Sequence, residues 1–208
     1  ELGPEYYEVH VVDNGPGIPE DKIGKALGKL LAGTKFHRLI QTRGQQGIGA
    51  SGCVLFSQMT TGQPVRIISA SNKKPIYMEL SVDTAKNEPK IHVKKELDIE
   101  FTGLAIQAKY KDVQYKECAQ SPLEYLKRLA IANPHATIKF QDPSGKTYNF
   151  PRSINKMPKT PREIRPHIKS ANTDEFLQNA KQASNNLIAT FIKNFYDRAG
   201  DKVIDDIN

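Results

Sequence analysis

Apolar residues recur along this chain of 208 residues with two spacings, those of short strands and of amphipathic helices. Clusters of β-branched and aromatic residues between turn residues predict strands at 6–12, 65–69, 76–82, 91–95 and 104–110. Apolar residues three to four positions apart predict helices at 19–31, 48–59 and 122–132. A hairpin is predicted at 136–141 and 146–150, and two short helices between 174 and 198.

The order of these elements predicts the class of fold. The first strand and two helices are followed by a run of strands, so strict alternation of strand and helix is absent and a Rossmann domain is disfavoured. We expect an α+β fold, a two-layer sandwich with helices on one face of a mixed, mostly antiparallel sheet. Residues 1–150 form the predicted main domain, 151–170 a basic, proline-rich linker, and 171–208 the start of a helical domain.

Composition excludes several classes of protein. Hydrophobic residues make up 38% and charged residues 25%, which argues against a disordered chain or a collagen. No run approaches the roughly 18 apolar residues of a spanning helix, so no membrane partner is expected. Two cysteines exclude a disulfide scaffold and indicate a reducing, cytoplasmic compartment. Because the chain opens on Glu1 and soon enters a strand, we expect a fragment that lacks N-terminal elements.

The net charge is +7, and its basic excess lies in the middle of the chain. Its densest part is the linker, whose basic residues are Arg152, Lys156, Lys159, Arg162, Arg165 and Lys169. Such a strip attracts phosphate backbones. On charge alone a solvated linker is favoured, because no aromatic residues alternate with the charges to stack on bases. Arg162, Arg165 and Lys169 are the candidates for contact with DNA or a partner.

The first segment that indicates chemistry is Asp13-Asn14-Gly15-Pro16-Gly17, directly after a predicted strand. A carboxylate at a strand end accepts a hydrogen bond from an exocyclic amine such as adenine N6. The glycines allow a tight turn and the close approach of a flat ring. An ordinary turn made of common turn residues is the alternative.

The second segment, 43–51, opens a predicted helix with three glycines. Backbone N–H groups at a glycine-rich helix N-terminus form a cradle for phosphate. The segment is not a Walker A loop, because the Gly-Lys-Ser/Thr sequence is absent. A dinucleotide site is disfavoured because no strand leads into it. A glycine-rich helix start without a ligand is a serious alternative.

The two segments together resemble the Bergerat ATP-binding fold of gyrase-type topoisomerases, Hsp90 chaperones, MutL repair proteins and histidine kinases. Further segments are similar to the B subunit of archaeal DNA topoisomerase VI: 36–37, 41–49, 54–59, 87–89, 131–136 and 161–167. The resemblance covers about residues 6–168 without a large gap, and the tail from 171 matches only loosely.

This resemblance implies a subunit that binds Mg²⁺ and ATP and dimerises on binding. Hydrolysis then gates the passage of duplex DNA through a double-strand break made by the A subunit, which carries the cleaving tyrosine. Asp13 would contact adenine, with Gly15 and Gly17 at that pocket, and Thr34 and Lys35 would lie where the family's loop closes on the nucleotide. The phosphate-wrapping residues would be Gly44, Gln45, Gln46, Gly47, Ile48, Gly49, Ala50 and Ser51.

The chain departs from the family at three points. The magnesium-binding Asn and the general-base Glu are expected upstream of residue 1, and the lysine for the γ-phosphate in a later domain, so no catalytic or metal residue is assigned here. The family's Gly-Thr pair is Gly103-Leu104, which loses a hydroxyl near Asp13. We therefore expect the intact parent to hydrolyse ATP, and this chain alone to bind nucleotide weakly without hydrolysis.

Three alternatives stay open at the level of sequence. A MutL-like or Hsp90-like ATPase shares the fold, although the loop sequence of 41–49 argues against it. A non-hydrolysing interaction module that bridges a DNA-cleaving partner would show no ATP binding. A basic nucleic-acid-binding protein with incidental glycines would bind DNA without ATP and with strong salt dependence.

Overall fold

The computed structural model describes residues 5–33, 40, 44, 46–71, 74–183 and 187–205. The chain divides into two compact units, one of residues 1–34 and 44–159 and one of residues 35–43 and 160–208. The elements of the first unit are, in chain order, β1 (Tyr6–Asp13), α1 (Glu20–Gly28), α2 (Gly49–Thr61), β2 (Val65–Ala70), β3 (Ile76–Asp83), β4 (Glu88–Glu96), β5 (Gly103–Lys111), α3 (Pro122–Ala132), β6 (Ile138–Gln141) and β7 (Thr147–Phe150).

Five strands form the main sheet of the first unit in the order β1-β5-β2-β3-β4. Every strand pair of this sheet in the described part of the chain is antiparallel. Strands β6 and β7 form a separate two-stranded sheet. The predicted α+β class, with helices packed against a mostly antiparallel sheet, is therefore confirmed, and the parallel component implied by a mixed sheet is not seen among these pairs.

Helices α1 and α2 bury their apolar faces against one face of the sheet. Ile23 and Leu27, one helical turn apart on α1, and Val54 on α2 are almost fully buried. They join one core with the inward side chains of the strands, among them Val65, Ile67, Ile76, Met78, Leu80 and Val82. Full burial of a side chain of this size contributes roughly 1.5–3 kcal/mol. This core fixes the strand ends from which the candidate site is built.

Two element boundaries of the first unit differ from the prediction by three residues, and its others lie closer. Helix α1 ends at Gly28 rather than at residue 31, because Lys29 is already extended and Leu31 has a φ of 58°. Strand β4 begins at Glu88 and includes Pro89, although the turn residues of this stretch predict a break in the sheet. Proline is tolerated here because β4 is an edge strand, where one side of the backbone needs no ladder partner.

The second unit is helical in its described residues. A short 3₁₀ helix (Ile168–Ser170) precedes α4 (Thr173–Gln182), α5 (Ile188–Phe195) and α6 (Asp201–Asp205). The 3₁₀ helix and α6 were not predicted. Its core centres on Phe191, Ile192 and Tyr196, and Phe176 stacks on Tyr196. The assignment of residues 151–170 as a linker and of residues 171–208 as the start of a helical domain stays a prediction. Among the described residues, no helix combines the length and apolarity required to cross a membrane.

Candidate functional site

Asp13 is the last residue of β1, and its Cα partner on β5 is Leu104. Its side chain is exposed, and its Oδ1 accepts a hydrogen bond of 2.8 Å from the N–H of Gly15. This bond orients the carboxylate at the strand end. Because a carboxylate has about four lone-pair positions, it still has capacity for a donor on a ligand.

The turn after Asp13 lies directly on the ends of two other strands. Gly17 has a φ of +66°, and a Cβ built on it would lie 2.1 Å from the carbonyl oxygen of Ala70 on β2. Gly103, the first residue of β5, has a φ of +108°, and its Cβ would lie 1.9 Å from the carbonyl oxygen of Asp13. Both positions therefore require glycine for backbone conformation and for space.

A buried serine fastens this turn to the sheet. Ser69 on β2 is 2% exposed; its Oγ accepts a hydrogen bond of 2.7 Å from the N–H of Ile18 and donates one of 2.8 Å to the Ile18 carbonyl. This residue is not among those predicted from the sequence. The sequence feature that could have identified Ser69 is a polar side chain at an inward position of a strand whose other inward residues, Val65 and Ile67, are apolar.

The second glycine segment leads into α2, a helix of 13 residues. Its N-cap, Ile48, makes no side-chain capping bond, and no acidic residue lies in the first turn. Helix geometry leaves the first N–H groups, those of Gly49, Ala50 and Ser51, without partners within the helix. A Cβ on Gly49 would meet no atom within 4 Å. The helix start thus combines free donors, positive helix-dipole potential and open space, as an anion site requires.

The other residues predicted to wrap phosphate differ in what they offer. The buried Ser51 hydroxyl shares its single proton between the carbonyls of Gly47 (3.1 Å) and Ile48 (3.2 Å), so it is not available to donate to a ligand. Gly47 has a φ of +65°, and its Cβ would lie 2.4 Å from the nitrogen of Gly33. Exposed residues complete the described part of the segment: Gly44, Gln46, Ile48 and Ala50. Thr34, Lys35 and Gln45 lie outside the described residues.

Both glycine segments flank helix α1 within the first unit. The Asp13 turn leads into the start of α1. Three residues after the end of α1, the N–H of Leu31 donates a hydrogen bond of 3.1 Å to the carbonyl of Gly47. Helices α1 and α2 also contact each other. The fold therefore connects a carboxylate-bearing turn and a helix start suited to an anion through one short helix.

The three basic candidates lie in the second unit and are exposed. Arg165 holds that unit together: its N–H donates to Asp197 Oδ2 and its guanidinium to the Lys193 carbonyl, both at 2.8 Å. Arg162 and Lys169 carry the more available charges. Across the described residues, no group of three His, Cys, Asp or Glu side chains is arranged to hold a metal ion.

Comparison with known proteins decides the family. No protein-family model matches the chain. The chain is 44% identical over 209 residues to a protein of Pyrococcus horikoshii, 46% identical over 211 residues to one of Thermococcus kodakarensis, and 42% identical over 196 residues to one of Methanothermobacter thermautotrophicus. Each relative is named as the B subunit of type 2 DNA topoisomerase 6.

The chain belongs to this family. The first two matches cover 100% and the third 92% of the chain, and the chain spans 37% of the length of each relative. The resemblance to the topoisomerase VI B subunit is therefore confirmed for this region of the protein. The MutL-like and Hsp90-like alternatives are not supported.

Proposed function

We propose that ATP binds to this part of the topoisomerase 6 B subunit, between the Asp13 turn and the start of α2. The observation that carries the proposal is that the first unit presents an oriented carboxylate at the end of β1 and an uncapped, glycine-rich start of a 13-residue helix. The carboxylate suits an exocyclic amine, and the helix start suits phosphates.

Each end of the nucleotide would be recognised by different chemistry. Asp13 would accept a hydrogen bond from the adenine amine, a charge-assisted bond that gives specificity for the base. The N–H groups of Gly49, Ala50 and Ser51 would donate to phosphate oxygens, and the missing side chain at Gly49 would let a phosphate approach the backbone. Magnesium would accompany the phosphates, but the described residues supply no cluster of ligands for it, so we assign it no step.

The activity of the whole protein extends this proposal. We propose that ATP binding and hydrolysis drive self-dimerisation and gate the passage of duplex DNA through a break made by an A subunit. Because the relatives are named as a B subunit, their names support the existence of a partner. No general base is assigned to this chain, and Arg162 and Lys169 are the candidates for contact with DNA.

Calorimetric titration of the full-length protein with a non-hydrolysable ATP analogue and magnesium tests the binding site. We expect Asp13→Asn to weaken binding by roughly tenfold or more, because a charge-assisted hydrogen bond contributes about 1.5–3 kcal/mol. The matched control is Asp112→Asn. Asp112 follows β5 at the opposite end of the β1–β5 pair, and asparagine tolerates its φ of 60°.

The outcomes separate the remaining functions. A selective loss in Asp13→Asn supports the adenine assignment, whereas an equal loss in both variants would overturn it. Absence of binding in the unaltered protein would favour a non-hydrolysing interaction module. One observation points toward that module: Leu104, opposite Asp13, packs on the apolar core and brings no hydroxyl to the pocket.

A further inference from the structure

Asn87, in the turn between β3 and β4, makes a two-point contact with the chain just after α1. Its Nδ2 donates a hydrogen bond of 3.0 Å to the carbonyl of Leu30, and the N–H of Leu30 donates one of 2.9 Å to its Oδ1. The amide thus pairs with both backbone groups of one residue, as a neighbouring strand would. Asn87 has a φ of 51°, a conformation that asparagine adopts more readily than most residues.

The contact continues from Leu30 to the glycine segment. Leu31, the next residue, donates its N–H to the carbonyl of Gly47 at 3.1 Å. The same carbonyl accepts the hydroxyl of Ser51 in the first turn of α2. A series of hydrogen bonds and one peptide link therefore connects the Asn87 amide to the helix start that presents free N–H groups.

The residues after Asn87 fix the same end of α1 by packing. A Cβ added at Gly28 would lie 2.8 Å from Cβ of Pro89, and one added at Gly24 would lie 3.2 Å from its Cγ. The two glycines, one helical turn apart, let α1 lie directly on β4. The position of the end of α1 is thus determined from β4 on one side and from Asn87 on the other.

We propose that Asn87 is a positioning residue for the phosphate-binding side of the site. By holding Leu30 it places Leu31, which holds the Gly47 carbonyl and thereby sets the direction of the N–H groups of Gly49, Ala50 and Ser51. The inference rests on the proposed ATP-binding function. Loss of the Asn87 amide should weaken binding of the phosphates and leave binding of the base unchanged. A merely structural role would not produce this difference.

The test compares an ATP analogue with adenosine in the full-length protein by calorimetry, with magnesium present. Asn87→Gly removes both hydrogen bonds and keeps the positive φ accessible. Asn87→Asp keeps the acceptor for Leu30 and loses the donor. Asn133→Ala is the matched control, because the Asn133 amide also donates to a helix-end carbonyl, that of Leu129 at 2.7 Å, on α3 and outside the site.

We expect Asn87→Gly to weaken the ATP analogue roughly three- to tenfold, the effect of losing one or two ordinary hydrogen bonds, and adenosine by less than about twofold. Asn87→Asp places a carboxylate oxygen opposite the Leu30 carbonyl, so it should weaken the ATP analogue at least as much as Asn87→Gly, and Asn133→Ala changes neither affinity. Equal weakening of both ligands in Asn87→Gly, or no weakening of either, would overturn the positioning role while leaving the proposed function standing.

Hydrogen exchange of the nucleotide-free protein tests the connection itself. In Asn87→Gly, the amides of Leu30 and Leu31 exchange faster than in the unaltered protein, because the first loses its acceptor and the second its fixed position. Unchanged exchange at Leu31 would refute the link to Gly47 whatever the affinities show. Failure of the unaltered protein to bind the ATP analogue would overturn the proposed function and this inference together.

Discussion

Gly17→Ala tests whether the Asp13 turn is held by direct backbone contact with the sheet. The substitution places a Cβ 2.1 Å from the Ala70 carbonyl oxygen and 3.0 Å from that of Gly103, in a residue whose φ is +66°. An L-residue in the left-handed region costs about 1–2 kcal/mol. Relief of the overlap forces a backbone shift that costs a further 1–3 kcal/mol or so. We therefore expect a destabilisation of about 2–5 kcal/mol.

Gly62→Ala is the matched control for the conformational part of this cost. Gly62 ends α2 with a φ of +69°, nearly that of Gly17, but a Cβ on it would meet no atom within 4 Å. Its N–H donates to the Gln58 carbonyl, a bond that alanine keeps. The control should therefore cost only about 1–2 kcal/mol, and the difference between the two variants measures the contact with the sheet.

Native-state hydrogen exchange of the amides of β2 and β5 is the appropriate measurement. It reports the free energy of opening of the first unit even though the chain contains two units, for which a single unfolding free energy is not defined. Gly17→Ala should also abolish binding of the ATP analogue, whereas Gly62→Ala should retain it. Equal destabilisation by the two substitutions would refute the reasoning, because the turn would then not be pressed against Ala70.

Two further predictions concern other parts of the first unit. Gly49→Ala should raise the opening free energy of the first unit, measured by hydrogen exchange, by up to about 1 kcal/mol. Alanine lowers the entropy of the unfolded chain, and the new methyl group meets no protein atom in the folded state. The same substitution should weaken binding of the ATP analogue in calorimetry. Unchanged affinity would contradict a phosphate at this position. Hydrogen bonds, first that of the Ser144 hydroxyl, lower the pKa of Asp142 against the opposing effect of burial. The stabilisation of the folded state by the ionised Asp142 carboxylate is thus fully present above the unfolded pKa of about 3.9. It is lost as pH falls through the lower pKa of the folded state. The stability difference between the unaltered protein and Asp142→Asn should shrink below about pH 4, and a difference independent of pH would contradict this origin.

The hydrophobic pattern was sufficient to predict the main elements because their burial is one-sided. Ile23 and Leu27 recur at the helical period, and Val65 and Ile67 at the strand period, so the sequence carries both the type of element and its inward face. Pro89 shows the limit of local reasoning. A proline next to turn residues predicts a break, but the position of β4 at the sheet edge, which only the tertiary fold determines, makes the proline acceptable.

The sequence pointed to the two glycine segments of the candidate site, but not to the residues that hold these segments in place. Ser69 lies 51 residues from Ile18, and Asn87 lies 57 residues from Leu30. No periodicity or turn rule relates positions so far apart. Gly103 likewise requires its conformation and space because β5 pairs with the end of β1, a pairing that the order of the elements along the chain does not reveal.

The glycines of the two segments are subject to different structural constraints, although their sequence contexts are similar. Gly17 and Gly47 have positive φ values and would overlap backbone atoms if they carried a side chain, so the fold alone explains them. Gly49 lies in open space at a helix start, where neither packing nor positive φ requires glycine. A bound group that approaches the backbone closely would explain why this residue is glycine. Among the glycines of the two segments, Gly49 therefore gives the proposed phosphate site its strongest support, because the fold itself does not require glycine there.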